Sequence, residues 1–117
     1  MSIALYTEIA DHLADKIIRK ELDQISLKAP EVWAEYAGLN VNVVRKAYDS
    51  LVRIGVLKLQ ADQYLYHESS RDKALEYRRE GILTGNLPDF LSVMNMLEIQ
   101  PQELKNLYES YLRNIDQ

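Results

Sequence analysis

The chain has 117 residues, a size typical of one domain or of a small domain with a short extension. Apolar residues make up 47% and charged residues 27%, which argues against a disordered chain. The sequence has no cysteine, which excludes disulfides, thiolate metal sites and cysteine nucleophiles. No apolar run approaches the roughly 18 residues of a membrane span, and the start lacks a secretory signal pattern. We therefore expect a cytoplasmic protein without a membrane partner.

The net charge of −4 and the pI near 5.2 argue mildly against nucleic acid as a partner. The segment from Asn40 to Lys58 has a different balance of charged residues from the chain as a whole. Four basic residues there face only one acidic residue, a local charge of +3. The charge of this segment is therefore a better guide to a nucleic-acid partner than the sign of the net charge of the whole chain.

The first half of the chain predicts three helices. A strong amphipathic helix is predicted over about residues 3–20, since apolar residues recur there every four positions. A short extended piece follows at residues 25–27. Pro30 suits the first position of a second helix, which we expect to end at Gly38.

The third helix is predicted over about residues 41–54, with Asn40 as its N-cap and Gly55 closing it. At about 100° per residue, its apolar face is made by four residues: Val44, Ala47, Tyr48 and Leu51. Its polar face lies opposite, with Arg45 on the flank, and comprises Asn42, Lys46, Asp49 and Arg53.

The second half begins with two short strands, residues 56–59 and 64–67, joined by a polar link at residues 60–63. A helix is then predicted over about residues 71–83, and its end is marked by Gly81, Gly85 and Asn86. Two more helices are predicted to start at Pro88 and at Pro101. The predicted fold class is mainly α with a small β-hairpin. It is a winged helix-turn-helix over residues 1–68, followed by a short C-terminal helical tail over residues 70–117.

Several segments together resemble the GntR family of bacterial transcription regulators, and most of all its short YtrA-type branch. These segments are Leu5–Ala10, Asn40–Tyr48, Leu87–Phe90 and Pro101–Leu104. The resemblance implies a winged helix-turn-helix domain that binds DNA and a helical tail that forms a dimer.

The sequence departs from the family pattern at several DNA-contacting positions. Lys28 stands at the proline of the usual Pro-Ser-x-Arg segment, and Glu31 stands at its arginine. Asp62 and Tyr64 occupy the glycine positions of the wing, and Val43 replaces a threonine that often contacts phosphate.

The polar face of the third helix has the side chains that read base edges in the major groove. Asn42 suits adenine, Arg45 and Lys46 suit guanine or phosphate, and Asp49 can accept from a cytosine amino group. The alternative is that this face is only the solvated side of an amphipathic helix. The predicted DNA-binding residues are Asn40, Asn42, Val43, Arg45, Lys46, Asp49, Lys28, Gln60, Gln63 and Tyr64.

Eight tyrosines and Trp33 raise the alternative of base stacking on single strands. Four of the tyrosines instead match apolar helix faces: Tyr36, Tyr48, Tyr108 and Tyr111.

His12 and His67 have no partners at metal-ligand spacing, and catalytic motifs are missing. We therefore expect no metal, no cofactor and no enzymatic activity.

The apolar faces of the tail predict pairing with a second copy of the chain, although folding back onto the winged domain is the alternative. The predicted dimer interface comprises Phe90, Met94, Leu97, Leu104, Leu107, Tyr108 and Tyr111. The predicted function is a homodimeric regulator that binds double-stranded DNA at a pseudo-palindromic operator. The alternative is a winged-helix adaptor for proteins that no longer binds DNA, consistent with the acidic pI, Glu31 and the glycine-free wing. The sequence does not indicate an effector ligand.

Overall fold

The structure of the chain is a computed structural model that describes residues 2–22 and 27–115. In chain order its elements are α1 (Ser2–Ile18), α2 (Pro30–Ala37), α3 (Val41–Arg53), β1 (Lys58–Gln60), β2 (Gln63–Leu65), α4 (Ser70–Gly81), a π-helical turn (Ile82–Asn86), α5 (Leu87–Met96) and α6 (Pro101–Ile115). The predicted fold class is confirmed: a winged helix-turn-helix is followed by a helical tail. Most of the extended piece predicted at residues 25–27 lies outside the described residues.

The chain forms two compact units, residues 1–80 and residues 81–117. The first, called the winged unit below, holds α1 to α3, the hairpin and nearly all of α4. The second, the tail unit, holds the π-helical turn, α5 and α6. The roles predicted for residues 1–68 and 70–117 concern function and stay predictions.

The core of the winged unit forms where α1 and α2 both pack against α3. The apolar stripe of α1 is buried there through Ile9, Leu13 and Ile17, and the predicted face of α3 is buried with it. Each large aliphatic side chain removed from water contributes about 1.5–3 kcal/mol to stability. The helical periodicity of the sequence therefore identified the core faces of both helices correctly.

Both ends of α3 are closed as predicted. The Asn40 side chain accepts a hydrogen bond from the Asn42 backbone N–H at 2.8 Å, which satisfies one of the free donors of the first turn. Gly55 follows the helix with a φ of 86°, a left-handed conformation that favours glycine. Gly38 has a φ of 69° and closes α2, so the turn between the two helices is short.

The hairpin is shorter than predicted, and its turn is tighter. Gln60 pairs with Gln63, so the link is a two-residue turn rather than a four-residue loop. Val56 and Leu57 do not belong to the first strand. Their backbone N–H groups donate to the Leu51 carbonyl at 2.8 and 3.2 Å, and their side chains are buried in the core. The end of α3 therefore takes the hydrogen bonds that a longer strand would have used.

Polar contacts hold α4 against α1. The Arg78 guanidinium lies 2.7 Å from one carboxylate oxygen of Asp15 and 3.3 Å from one of Asp11. The Tyr77 hydroxyl donates to Asp11 at 2.6 Å, and burial raises the pKa of this phenol. Since Ala74 is also fully buried, α4 belongs physically to the winged unit.

In the tail unit, the predicted break around Gly81, Gly85 and Asn86 is not a loop. Gly81 ends α4 in a right-handed helical conformation, and a π-helical turn then leads directly into α5. After α5, the Ile99 N–H donates to the Met94 carbonyl at 2.9 Å before α6 begins at Pro101. Throughout the described ranges, every helix falls short of the length and hydropathy that a membrane-spanning segment requires.

Candidate nucleic-acid interface

The predicted reading face of α3 lies on the surface of the winged unit. Asn42 and Lys46 are exposed to solvent, Asp49 is exposed, and Arg45 is half-buried. Burial of Asn42 and Lys46 would have excluded contact with a duplex. The polar face is therefore available at the N-terminal end of the helix, where a docked helix reaches base edges.

Arg45 is held by an acidic residue from the helix before it. Its Nη2 atom lies 2.8 Å from Glu31 Oε2, while its Nη1 atom is 3.5 Å from Asn42 Oδ1. Backbone hydrogen bonding at the start of α2 and the bond from Arg45 hold the pKa of Glu31 below its ordinary value. Glu31 is therefore a carboxylate at neutral pH, and it balances the charge of Arg45.

The hairpin is tied to the same helix through an aromatic pair. The Tyr64 ring stands edge-on to Tyr48, with 5.0 Å between ring centroids, and its hydroxyl donates to an Asp49 carboxylate oxygen. Burial, reinforced by Asp49, raises the pKa of Tyr64 to about 12. One acceptor of Asp49 is thus used to fix the hairpin on α3.

Lys46 is placed on the other side of the polar face. Its Nζ atom lies 4.6 Å from the centre of the Tyr6 ring on α1, a distance typical of a cation–π contact. The side chain remains exposed. The contact therefore orients the ammonium group and leaves it open to solvent.

A groove of about 700 Å³ separates the hairpin from α2 and α3. Arg45, Gln63 and Tyr64 line it together with Glu31 and Asp62. Asn42 and Lys46 are not part of its lining. The structure therefore brings Arg45 and the hairpin together and leaves the other two side chains to face solvent.

The remaining predicted DNA-binding residues have different surroundings. Val43 is half-buried against the core, and Asn40 is occupied as a helix cap. Lys28 has an exposed side chain, and its carbonyl accepts a hydrogen bond from the Tyr48 hydroxyl at 2.7 Å. Gln60 and Gln63 are exposed at the end of the hairpin.

Two contacts of this surface were not predicted from the sequence. Glu31 was recognised as a departure from the family pattern, but not as the partner of Arg45. Tyr6 was not recognised as the partner of Lys46. Neither contact has a local signal, because the paired residues are 14 and 40 positions apart and meet only when the helices pack.

His67 follows the hairpin and is held by hydrogen bonds. Its Nδ1 accepts from the Ser69 N–H at 3.2 Å, so its Nε2 carries the proton and donates to the Gly55 carbonyl at 2.9 Å. Within residues 2–22 and 27–115, acidic and histidine side chains form no group suited to a metal ion.

The tail unit exposes most of the residues predicted for the dimer interface. Phe90, Leu97, Leu107, Tyr108 and Tyr111 have between 49% and 67% of their surface open to solvent. Leu104 is half-buried, whereas Met94 is already buried within the chain. The Tyr108 and Tyr111 rings stack at 6.5 Å, which keeps both on one side of α6.

Three solved structures with the same architecture are described as GntR-family regulators. A transcriptional regulator assigned to the GntR family from Bacteroides thetaiotaomicron superposes with a TM-score of 0.73 at 19% identity, over 94% of this chain and 97% of its own. The chain has the fold of the GntR-family regulators.

Two further GntR-family structures support the same fold. A regulator from Listeria monocytogenes gives a TM-score of 0.68 at 16% identity, over 91% of this chain and 93% of its own. YtrA from Sulfolobus acidocaldarius, a GntR-family transcription factor, gives a TM-score of 0.51 at 23% identity, over 96% of this chain and 90% of its own. No family model matches the sequence, and no curated protein matches it significantly. The resemblance predicted from the sequence is thus confirmed at the level of the GntR-type fold.

Proposed function

We propose that this chain is a transcription regulator that binds double-stranded DNA sequence-specifically as a homodimer. The observation that carries the proposal is the exposed polar face at the N-terminal end of α3, beside a hairpin fixed to the same helix. A helix presented in this way fits the major groove, and the hairpin then lies against the neighbouring backbone.

Each side chain of this face has a role that follows from its chemistry. Asn42 is exposed and suits the paired donor and acceptor of adenine, while Lys46 supplies a point charge to phosphate. Arg45 has the planar fork that matches the O6 and N7 atoms of guanine. Asn40 caps the start of the helix, whose positive dipole end favours a phosphate of the DNA backbone beside it.

The tail unit supports pairing with a second copy. Apolar side chains of α6 at Leu107, Tyr108 and Tyr111 recur on one face and remain exposed in the single chain. A twofold dimer would cover this face and supply two α3 helices to one duplex. Such a dimer reads a pseudo-palindrome.

A second candidate is a winged-helix adaptor that binds proteins and no longer binds DNA. It is favoured by the pairing of Arg45 with Glu31 and by the use of Asp49 to hold Tyr64. Both contacts reduce the number of free polar groups on α3. The net charge of −4 points in the same direction.

Titration of the purified protein against a labelled duplex from the region upstream of its own gene separates these candidates. Fluorescence anisotropy at several salt concentrations gives the affinity and its salt dependence. For a regulator we expect tighter binding to this duplex than to a scrambled one. Arg45→Ala should weaken binding to the upstream duplex by about 1–3 kcal/mol if Arg45 meets a base edge.

The control removes two cations from the tail unit. The Lys105→Ala, Arg113→Ala double variant should bind as the wild type does, whereas the Arg45→Ala, Lys46→Ala variant should lose specific binding. If removing Arg45 and Lys46 leaves the affinity unchanged, the assignment to α3 is wrong. No complex with any duplex at low salt would favour the adaptor.

A further inference from the structure

The pairing of Glu31 with Arg45 places an anion within the surface proposed to approach DNA. Glu31 lies in the first turn of α2, and its carboxylate is 2.8 Å from the guanidinium of Arg45. The Glu31 side chain is 62% exposed and that of Arg45 is 41% exposed. The two side chains therefore meet at the surface, where water and DNA have access to both.

The two ligands that DNA offers to Arg45 differ in charge. A phosphate group is an anion, and close to Glu31 it is repelled by the carboxylate while it is attracted by the guanidinium. The major-groove edge of a guanine is neutral and offers only hydrogen-bond acceptors. Arg45 has five N–H donors in a planar fork, so donors remain for a base edge while one is bonded to Glu31 and one to Asn42.

We propose that Glu31 determines specificity by weakening the binding of Arg45 to phosphate while leaving it able to bind a guanine edge. This proposal deepens the DNA-binding function proposed above and rests on it. Discrimination of this kind needs a repulsive element against the wrong ligand as well as an attraction to the right one. Glu31 supplies the repulsion, and Arg45 supplies the attraction.

The exposure of the pair sets the size of the effect. Ion pairs between exposed side chains are weak and open readily, so Glu31 adjusts the affinity for phosphate and does not block it. Removing the carboxylate should free one cation for the DNA backbone. Each additional phosphate contact steepens the plot of log K against log salt concentration by about 0.9.

The test compares the wild type with Glu31→Gln, which keeps the size of the side chain and removes its charge. The probes are a random-sequence duplex of about 30 base pairs, long enough for two half-sites, and the duplex from upstream of the gene. We expect Glu31→Gln to bind the random duplex about two- to fivefold more tightly, with a salt slope steeper by about 0.9 for each protomer, or about 1.8 for the dimer. Binding to the upstream duplex should tighten less, so the ratio of specific to random affinity should fall.

Two controls separate a local effect from general repulsion. Glu35→Gln removes the same charge one turn later on α2, where the side chain is also exposed. Glu31→Gln in an Arg45→Ala background removes the carboxylate after its partner is gone. Both changes should leave the affinity for the random duplex nearly unchanged, and thermal melting should confirm that every variant is folded.

Three outcomes overturn the proposal. Equal tightening by Glu31→Gln and Glu35→Gln, or tightening that persists without Arg45, assigns the effect to net charge. Equal random-duplex binding by the wild type and Glu31→Gln overturns this proposal alone and leaves the DNA-binding function standing. Binding of neither protein to either duplex at low salt overturns both proposals.

Discussion

Tyr48 connects the core of the winged unit to the surface proposed for DNA. Its ring is fully buried, and its hydroxyl donates to the Lys28 carbonyl 20 residues earlier in the chain. The same ring supports Tyr64 and so fixes the hairpin. Burial raises the pKa of Tyr48 from 10 to about 12. One side chain thus joins α3 to the segment before α2 and to the wing.

The raised pKa of Tyr48 predicts a loss of stability in alkali. The folded chain holds the phenol proton more tightly than the unfolded chain, so this contribution is complete below pH 10 and is lost as the pH rises through about 12. The loss amounts to up to about 3 kcal/mol of unfolding free energy. Tyr48→Phe should be less stable at neutral pH by about 1 kcal/mol, because it lacks the bond to Lys28. The variant should also lack the part of the loss of stability in alkali that comes from ionisation of Tyr48.

Denaturant unfolding at a series of pH values measures both effects. Tyr36→Phe is the matched control, since Tyr36 is 91% exposed and lies in the same unit. It should follow the wild type at every pH. Parallel curves for wild type and Tyr48→Phe above pH 10 would show that Tyr48 titrates as an ordinary tyrosine.

At the scale of elements, the hairpin shows how backbone conformation limits the choice of residues. Ala61 and Asp62 form its turn with φ angles of 51° and 62°. Two-residue hairpin turns with positive φ at both positions match the strand twist, and asparagine and glycine favour them. An alanine in this conformation brings its Cβ close to its own carbonyl oxygen and costs about 1–2 kcal/mol.

Ala61→Gly should therefore raise the free energy of unfolding. Relief of the strained conformation outweighs the entropy that glycine adds to the unfolded chain, and we expect a net gain of about 0.5–1 kcal/mol. The same replacement at Ala37, in the last turn of α2, should lower stability, because glycine is unfavourable in a helix. Thermal unfolding of the two variants measures the direction of both changes in stability. A destabilised Ala61→Gly variant would contradict the assigned turn conformation.

At the scale of the whole molecule, the two units differ in how they cover apolar surface. The winged unit encloses a core built from α1, α2, α3 and α4. In the tail unit, large apolar side chains of α5 and α6 remain open to solvent. An exposed apolar face of this kind is characteristic of a surface that binds a partner, which is why the proposed homodimer uses this unit.

The dimer predicts twice 13.6 kDa in size-exclusion chromatography with light scattering. The double variant Leu107→Asp, Tyr111→Asp should be a monomer. It loses burial worth about 3–6 kcal/mol, which corresponds to a more than hundredfold weaker association. Asn106→Asp adds a charge on the polar side of α6, where its carboxylate can still accept the hydrogen bond of Gln102. This control should remain a dimer.

Two results would contradict the dimer assignment. A wild type that runs at 13.6 kDa at micromolar concentration would remove the argument for two half-sites. A dimer that survives both aspartates would place the interface elsewhere on the chain.

The sequence predicted some features well because they depend on neighbours within one or two helical turns. The buried faces of α1 and α3, the cap at Asn40 and the closing glycines Gly38 and Gly55 all follow from local spacing and are confirmed. The same spacing placed Tyr36 at a core position, and this was wrong. The short α2 leaves it at the surface.

The sequence predicted the candidate site as the polar face of α3 together with Lys28 and the wing residues Gln60, Gln63 and Tyr64, without the contacts between them. The exposure of Asn42 and Lys46 agrees with the helical pattern. The contact between Glu31 and Arg45 was not predicted from the sequence. The two residues are 14 positions apart, and that spacing does not fix the distance between them in the folded chain.

The order of the helices and the hairpin, the buried faces of α1 and α3 and the caps at Gly38, Asn40 and Gly55 were therefore determined by the sequence alone, because each follows from spacing along a short stretch of chain. The tertiary structure decided where the hairpin strands begin, that a π-helical turn replaces the predicted break, and which charges on α3 are paired. Packing decides these features because helices approach each other through their apolar faces, and polar side chains then bond to whatever the approach brings within reach.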